Sequence, residues 1–290
     1  MDYPLSTITG EKMPERLRQI PVSPKKLHYR GNLPDWSGKF LCVVGSRKYT
    51  PYGKSVCENL IAGLSGYPIT VVSGLALGID GIAHEAALSA GLVTLAFPGS
   101  GLDWKVLYPS SHAGLAQKIL ERGGAIFSES EPDFRARPES FPQRNRIMAG
   151  ISHAILVIEA ELKSGTLITS RLATEYNRDV FTIPHSIFSK TGEGPHMLLK
   201  LGATLITSPS DILDAFDIGP EKKDTEFSPN KYADCMPDEL LVIEKLTIPQ
   251  SRDGLIRQLP FPASQVNSIL TMLEIRGLVK EELGRIRIVN

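Results

Sequence analysis

The sequence predicts a doubly wound, parallel α/β sheet followed by a small winged-helix domain. Three observations predict it. Apolar runs bounded by turn residues alternate with helix-length segments through residues 37–218, a polar, proline-bracketed stretch interrupts the chain at 219–237, and residues 238–290 hold three helical patterns followed by a hairpin pattern. The strand-like runs are Phe40–Val44, Ile69–Val72, Leu92–Phe97, Ala125–Phe127, Ala154–Ile158 and Val180–Ile183. Between most of them lie the helical segments Tyr52–Leu64, Asp80–Ser89, Ala113–Glu121, Leu167–Tyr176 and Met197–Leu201, several preceded by Gly, Ser or Thr suited to capping. Residues 1–36 read as an N-terminal extension, and no internal repeat is evident.

Residues 219–237 suit a linker, being polar and bracketed by prolines. Beyond it, Asp238–Leu246, Arg252–Leu259 and Ala263–Arg276 read as helices, with Leu278–Lys280 and Arg285–Val289 as a hairpin around Gly284. Helix and wing would place Asn267, Arg276, Lys280, Arg285 and Arg287 against nucleic acid. A winged helix serving only protein contacts accounts for so few basic residues equally well.

At 290 residues and 42% apolar content the chain can bury one large core and a smaller one. Its 32 Lys and Arg balance 32 Asp and Glu, so a polyanion must be held by a local patch, which excludes a general polyanion binder. Cys42, Cys57 and Cys235 show no metal-ligand spacing and leave an odd thiol. That pattern fits a reducing compartment, the cytoplasm, and no metal is expected. The chain lacks a long uninterrupted apolar run, and Met1-Asp2-Tyr3-Pro4 does not open a signal peptide, so a soluble protein without a membrane partner is expected.

Chemistry concentrates in the run from Phe141 to Ser152. Arg144 and Arg146 offer planar forks suited to phosphate, and Gln143 and Asn145 can donate to a backbone or a base edge. The turn to Ile147, Met148 and Ala149 predicts a short helix beside the sheet with these donors facing outward; an isolated R-x-R would otherwise read as a solvated helix start. Gly45-Ser46-Arg47 follows the first predicted sheet strand, where open α/β sheets bind ligands. Gly45 permits close backbone approach, Ser46 donates from its hydroxyl, and Arg47, like Arg144, is expected on an exposed loop end.

The loop from Ser73 to Asp80 carries Gly74 and Gly78, but its glycines stand in the wrong order for a dinucleotide fingerprint, and no P-loop occurs. NAD and ATP are therefore disfavoured, and no cofactor is expected. Asp80 sits at an expected helix N-cap, four residues before His84, which makes a cap plus a helix-face histidine the plainer reading than an acid–base pair. Gly101 lies in the loop from Gly99 to Asp103. Lys163 precedes Ser164, Gly165 and Thr166, whose backbone N–H groups at a helix start favour an anion. Several such loops at one sheet edge point to a phosphate-bearing ligand.

With these motifs in order, the chain resembles the DNA-processing protein A family, also called Smf, from about Leu17 to the C-terminus. Phe-Pro-x-Arg-Asn-Arg followed by Ile-x-Ala-Gly-x-Ser is highly specific to it. The resemblance implies an extended Rossmann-like domain that binds single-stranded DNA, forms a homodimer and helps load the RecA recombinase in natural transformation, without catalytic residues. It implies phosphate-binding roles for Gly45, Ser46, Arg47, Arg144 and Arg146, with the loops containing Gly74, Gly78, Asp80, Gly101, Ser164, Gly165 and Thr166 shaping the pocket.

The sequence departs from the family pattern at Pro184-His185-Ser186, usually Pro-Gly-Ser, and at Gly194-Pro195-His196, usually Gly-x-Asn. An N-terminal helical domain of many members is not expected here, given the roughly forty residues before Arg47. The competing readings are a nucleotide sensor and a nucleotide hydrolase. Related phosphoribohydrolases carry a glutamate where this chain has Thr169, which removes the hydrolase's main residue; Glu159 and Asp80 remain as carboxylates, and a strand-end carboxylate is more often a structural acceptor.

Overall fold

The computed structural model describes residues 3–219, 235–246, 250–282 and 285–288. Most of the expected linker, and Gly284, lie outside them. Contacts divide the chain into units Met1–Gly219 and Pro220–Asn290.

The first unit opens with β1 (Ser6–Thr9), α1 (Glu15–Arg18) and β2 (Lys26–Gly31). The alternating part follows as β3 (Lys39–Val44), α2 (Pro51–Ala62), β4 (Ile69–Ser73), α3 (Ile79–Ser89), β5 (Thr94–Ala96), α4 (Ala113–Glu121), β6 (Ala125–Ser128), α5 (Ser140–Ile151) and β7 (Ala154–Val157). It closes with α6 (Thr166–Glu175), β8 (Asp179–Thr182), α7 (Glu193–Lys200), β9 (Thr204–Leu205) and α8 (Pro209–Ala215). One nine-stranded sheet runs β1-β2-β6-β5-β4-β3-β7-β8-β9. From β6 to β9 every pairing is parallel.

The sheet departs from the all-parallel expectation at one edge, where β2 pairs antiparallel with β1 and with β6. Residues 3–36, expected as an extension, are accordingly part of the sheet and its core, not an appendage. Leu17 and Leu27 are fully buried, and they share a cluster with Phe40, Phe127 and Met148. The strands were hard to see because they are short, and β2, Lys-Leu-His-Tyr-Arg-Gly, mixes polar and apolar residues.

Buried parallel strands are apolar on both faces, and β3 shows why. Leu41 and Val43 join the layer of α2, α3 and α8, while Phe40, Cys42 and Val44 join that of α1, α5, α6 and α7. Thr50 caps α2, its hydroxyl accepting from Gly53 N at 3.1 Å, and Pro51 takes the first helical position. The N-cap of α3 is Gly78 and not Asp80, which sits inside the first turn.

The second unit comprises α9 (Pro237–Lys245), α10 (Arg252–Ile256), α11 (Ala263–Ile275), β10 (Val279–Glu282) and β11 (Arg285–Ile288). The strands form an antiparallel hairpin, and Val242, Leu255, Val266, Leu270 and Ile286 meet in the unit's own core.

Candidate functional site

Strand order runs from β3 outward to β6 and returns to β7 on β3's other side. The connections leaving β3 and β7 therefore diverge, and a crevice opens at their carboxyl ends, the usual ligand position in an open α/β sheet. A cleft of about 400 Å³ occupies it, with Gly45–Lys48 on one side, Lys163–Thr166 on another, and Phe141, Pro142 and Asn145 from α5 completing the wall.

Close backbone packing fixes these loops. Gly78 has φ +84°, and a Cβ there would lie 2.3 Å from Ser46 O, so the 74–80 loop can seat against the β3 loop only with glycine. Ile79 N donates to Ser46 O at 3.2 Å. Ser46 Oγ donates to Lys48 O at 2.8 Å and accepts from Lys48 N at 3.1 Å, closing a turn that leaves Arg47 and Lys48 exposed. Across the crevice Thr166 Oγ1 donates to Gly45 O at 3.1 Å, and Asn145 Nδ2 reaches Gly165 O at 3.5 Å. Arg47 stands over the ring of Phe141, 5.1 Å from its centroid, so a cation and an aromatic face share the mouth.

Arg144 corrects the expectation of an outward-facing fork. It is only 9% exposed, and its guanidinium donates to Gly74 O at 2.6 Å, to Phe97 O and to Asn145 Oδ1 at 3.1 Å. Asp80 neighbours it and accepts from Gly74 N at 3.1 Å. Burial pushes the Asp80 carboxyl up, and Arg144 with two backbone N–H groups pulls it back. Burial likewise lowers Arg144, against Asp80. The pair pins the ends of β4 and β5 to α5, and a Cβ on Gly74 would lie 2.0 Å from Arg144 Nη1. Arg144 and Asp80 thus line the cleft's interior side by side, each committed to backbone groups.

Three further expectations change. Arg146 donates to Val22 O at 2.7 Å and pairs with Glu129, which ties α5 to the N-terminal segment and the loop after β6. Gln143 is exposed but falls in a separate small pocket with Pro98 and Ser130. Gly101 is buried under the 131–134 turn, donating to Phe134 O at 2.8 Å, with no room for a Cβ beside Glu131 O and Pro132 O. Arg144, Arg146 and Gln143 point to different surroundings because α5 presents successive residues in different directions, which residue type does not encode. Lys48 was not anticipated; it is the basic neighbour of Arg47 in a short βα connection, which was the available signal.

Glu159 is fully buried and holds Thr50 N at 2.9 Å, Thr50 Oγ1 at 2.5 Å and Thr191 Oγ1 at 3.1 Å. It is an acceptor that braces the start of α2. Among the described residues no group of three His, Cys, Asp or Glu is placed to hold a metal. Nor is any helix there long and apolar enough to cross a membrane.

Fold and cleft define an α/β protein with cationic loops converging at its switch point and a separate winged-helix unit. The chain belongs to the DNA recombination-mediator protein A family, whose sequence model matches residues 5–217, and the DprA winged helix domain matches residues 237–285. It is 36% identical over 275 residues to Protein Smf of Escherichia coli, covering 93% of this chain and 73% of that protein. The DNA processing protein DprA of Streptococcus pneumoniae is 40% identical over 215 residues, 74% of this chain and 75% of the relative. The X-ray structure of the pneumococcal protein superposes with a TM-score of 0.67 at 38% identity, covering 73% of this chain and 74% of that one. A structure of DNA processing protein A from Helicobacter pylori, described for its single-stranded DNA binding mode, gives 0.66 at 30% identity, covering 74% and 96%.

Proposed function

We propose that this chain binds single-stranded DNA in the switch-point cleft and acts, without catalysis, as a recombination mediator that protects incoming DNA and helps load the RecA recombinase in natural transformation. The observation that carries DNA binding is the mouth of the cleft, where Arg47 lies against Phe141 and Lys48 and Lys163 are exposed beside it. Exposed cations beside aromatic side chains are the combination that single strands require. A volume of about 400 Å³ is of the size that takes a small ligand such as a nucleotide. Family membership supports the recombinase partner, a homodimer and a cytoplasmic site of action. Hydrolysis is disfavoured because Glu159 and Asp80 are both committed to structural hydrogen bonds and Thr169 occupies the cleft where a carboxylate would be needed.

Fluorescence anisotropy with oligonucleotides tests the reading. Single strands should bind more tightly than duplexes of the same length. Three phosphate contacts would give log K against log salt a slope of about −2. Equal affinity for duplex, or no salt response, overturns it.

A further inference from the structure

The loop joining β8 to α7 carries the most exposed apolar pair of the first unit, Ile187 at 80% and Phe188 at 91%. It is held firmly. Its base is fixed where Tyr52 OH donates to Pro184 O at 2.6 Å, where His185 Nε2 donates to Ile158 O at 2.8 Å, and where His196 Nε2 donates to His185 O at 3.1 Å. The His185 ring packs edge-on against Tyr52, with centroids 5.3 Å apart, and its Cβ leaves Gly192 no room for a side chain. Within the loop, Ser189 N donates to Ser186 O and Gly192 N to Ser189 O, both at 3.0 Å. Phe188 is thus projected into water by a braced turn, although a phenylalanine gains roughly 2 kcal/mol by burial. An aromatic ring kept outside by its own scaffold calls for an occupant.

Its position indicates which. β3, β7 and β8 are adjacent and parallel, so the loops that leave them line one edge of the sheet within two strand spacings, about 10 Å. Ala160 N donates to Thr191 O at 2.9 Å and Gly194 N to Ala160 O at 2.8 Å, which stitches the Phe188 loop to the segment that brings Glu161 and Lys163 to the cleft. Thr191 and Thr50 share Glu159, which couples the same loop to the Arg47 connection. Both connections carry exposed rings and cations: Lys48, Tyr49 and Tyr52 after β3, Phe188 and Lys190 after β8. Rings together with lysines form a stacking platform for an unpaired strand.

We propose that Phe188 stacks on a base of the single strand where it leaves the cleft, extending the DNA path from the Arg47 mouth along the sheet edge to the β8–α7 loop. This rests on the single-stranded DNA reading of the cleft. His185 and His196 brace the platform and do not line the cleft.

The test uses the full chain and thymidine strands of about 4 to 16 nucleotides. Phe188→Ala should leave affinity for the shortest strands unchanged and weaken binding of the longer ones by about 5- to 100-fold. The salt slope should stay unaltered, since no phosphate contact is lost. Phe188→Trp should restore affinity, with the indole emission quenched by the strand. On a long strand carrying abasic residues, wild type and Phe188→Ala should bind alike. Wild-type binding that Phe188→Ala leaves intact on every strand overturns this proposal alone, as does an equal loss on the abasic strand. A Phe188→Ala variant with unchanged DNA affinity but halved mass by light scattering would assign the ring to a second copy of the chain. No binding by wild type overturns the cleft reading and this one with it.

Discussion

The basic side chains at the mouth of the cleft and those that flank helix α11 in the winged-helix unit have opposite surroundings. At the mouth of the cleft Arg47, Lys48 and Lys163 are exposed, and Arg47 leans on a ring. In the winged-helix unit Arg252 reaches Glu281 at 2.7 Å and Asn267 Oδ1 at 3.2 Å, and Arg276 reaches Glu239 at 3.0 Å. Helix α11, in the place of a recognition helix, carries no Lys or Arg, and its exposed residues include Ser264, Ser268, Thr271, Met272 and Ile275. A cation already matched by a carboxylate has little left to offer a phosphate. The neighbour, more than the arginine, decides whether a residue binds.

The sharpest way to break this contrast lies within the first unit, between Arg144 and Arg47. Arg144→Ala strands Asp80 in the interior and should cost about 3–5 kcal/mol, read as a lower urea midpoint. Gly74→Ala should act in the same direction, because its Cβ would displace the Arg144 guanidinium. Arg47→Ala should change stability by no more than about 0.5 kcal/mol. It should nonetheless weaken single-strand binding by about 1.5–3 kcal/mol. An Arg144→Ala protein of native stability that has lost only DNA binding would restore the outward-facing role and refute the structural one.

This division also explains what was legible in the sequence. Long apolar runs such as Phe40–Val44 and the polar break before Pro237 declared the α/β unit and the winged helix. The Gly45, Gly78 and Gly165 loops declared the cleft, since turns at strand ends carry their chemistry in residue type. Strands β1 and β2 escaped because each is short, β1 has one apolar residue in four, and neither contains an apolar run. Helix α8 escaped despite Ser208, Pro209 and Asp211, a capping box with proline at the first turn. The roles of Arg144 and Arg146 were illegible for a different reason: their acidic partners, Asp80 and Glu129, are 64 and 17 residues away in the chain, and only the fold brings them together.

Acid should separate the units next. All six histidines lie in the first unit. His84 is wholly buried, and burial, with His112 and Arg144 nearby, lowers it from 6.5 to about 3; half-buried His153 is lowered to about 4. In the unfolded chain each imidazole takes a proton near 6.5, whereas the fold keeps it neutral. The unfolded state therefore binds more protons below that value, and stability is lost as pH falls from 6.5. For His84 the loss between pH 7.5 and 5.5 is about 1.4 kcal/mol, insensitive to how far below 5.5 the native value lies. Both tryptophans, Trp36 and Trp104, belong to this unit, so tryptophan emission follows it alone. Its urea midpoint should fall across that range, and one that stays constant would sink the assignment of a neutral buried His84.

The smallest expected effect concerns the winged helix itself. The first unit keeps its core clusters, its cleft and the Phe188 loop within residues 1–219. A chain ending at Gly219 should therefore bind single strands within about threefold of the full chain, because phosphate contacts at the Arg47 mouth set the affinity. Arg252→Ala in the full chain should be equally quiet toward DNA, since its guanidinium is held by Glu281 and Asn267. Light scattering of the truncated chain checks that self-association, proposed for the first unit, persists. If the truncated chain is folded and still dimeric yet has lost most of its affinity, the principal DNA contact belongs to the winged helix, and the exposed cations of the cleft are a secondary foothold.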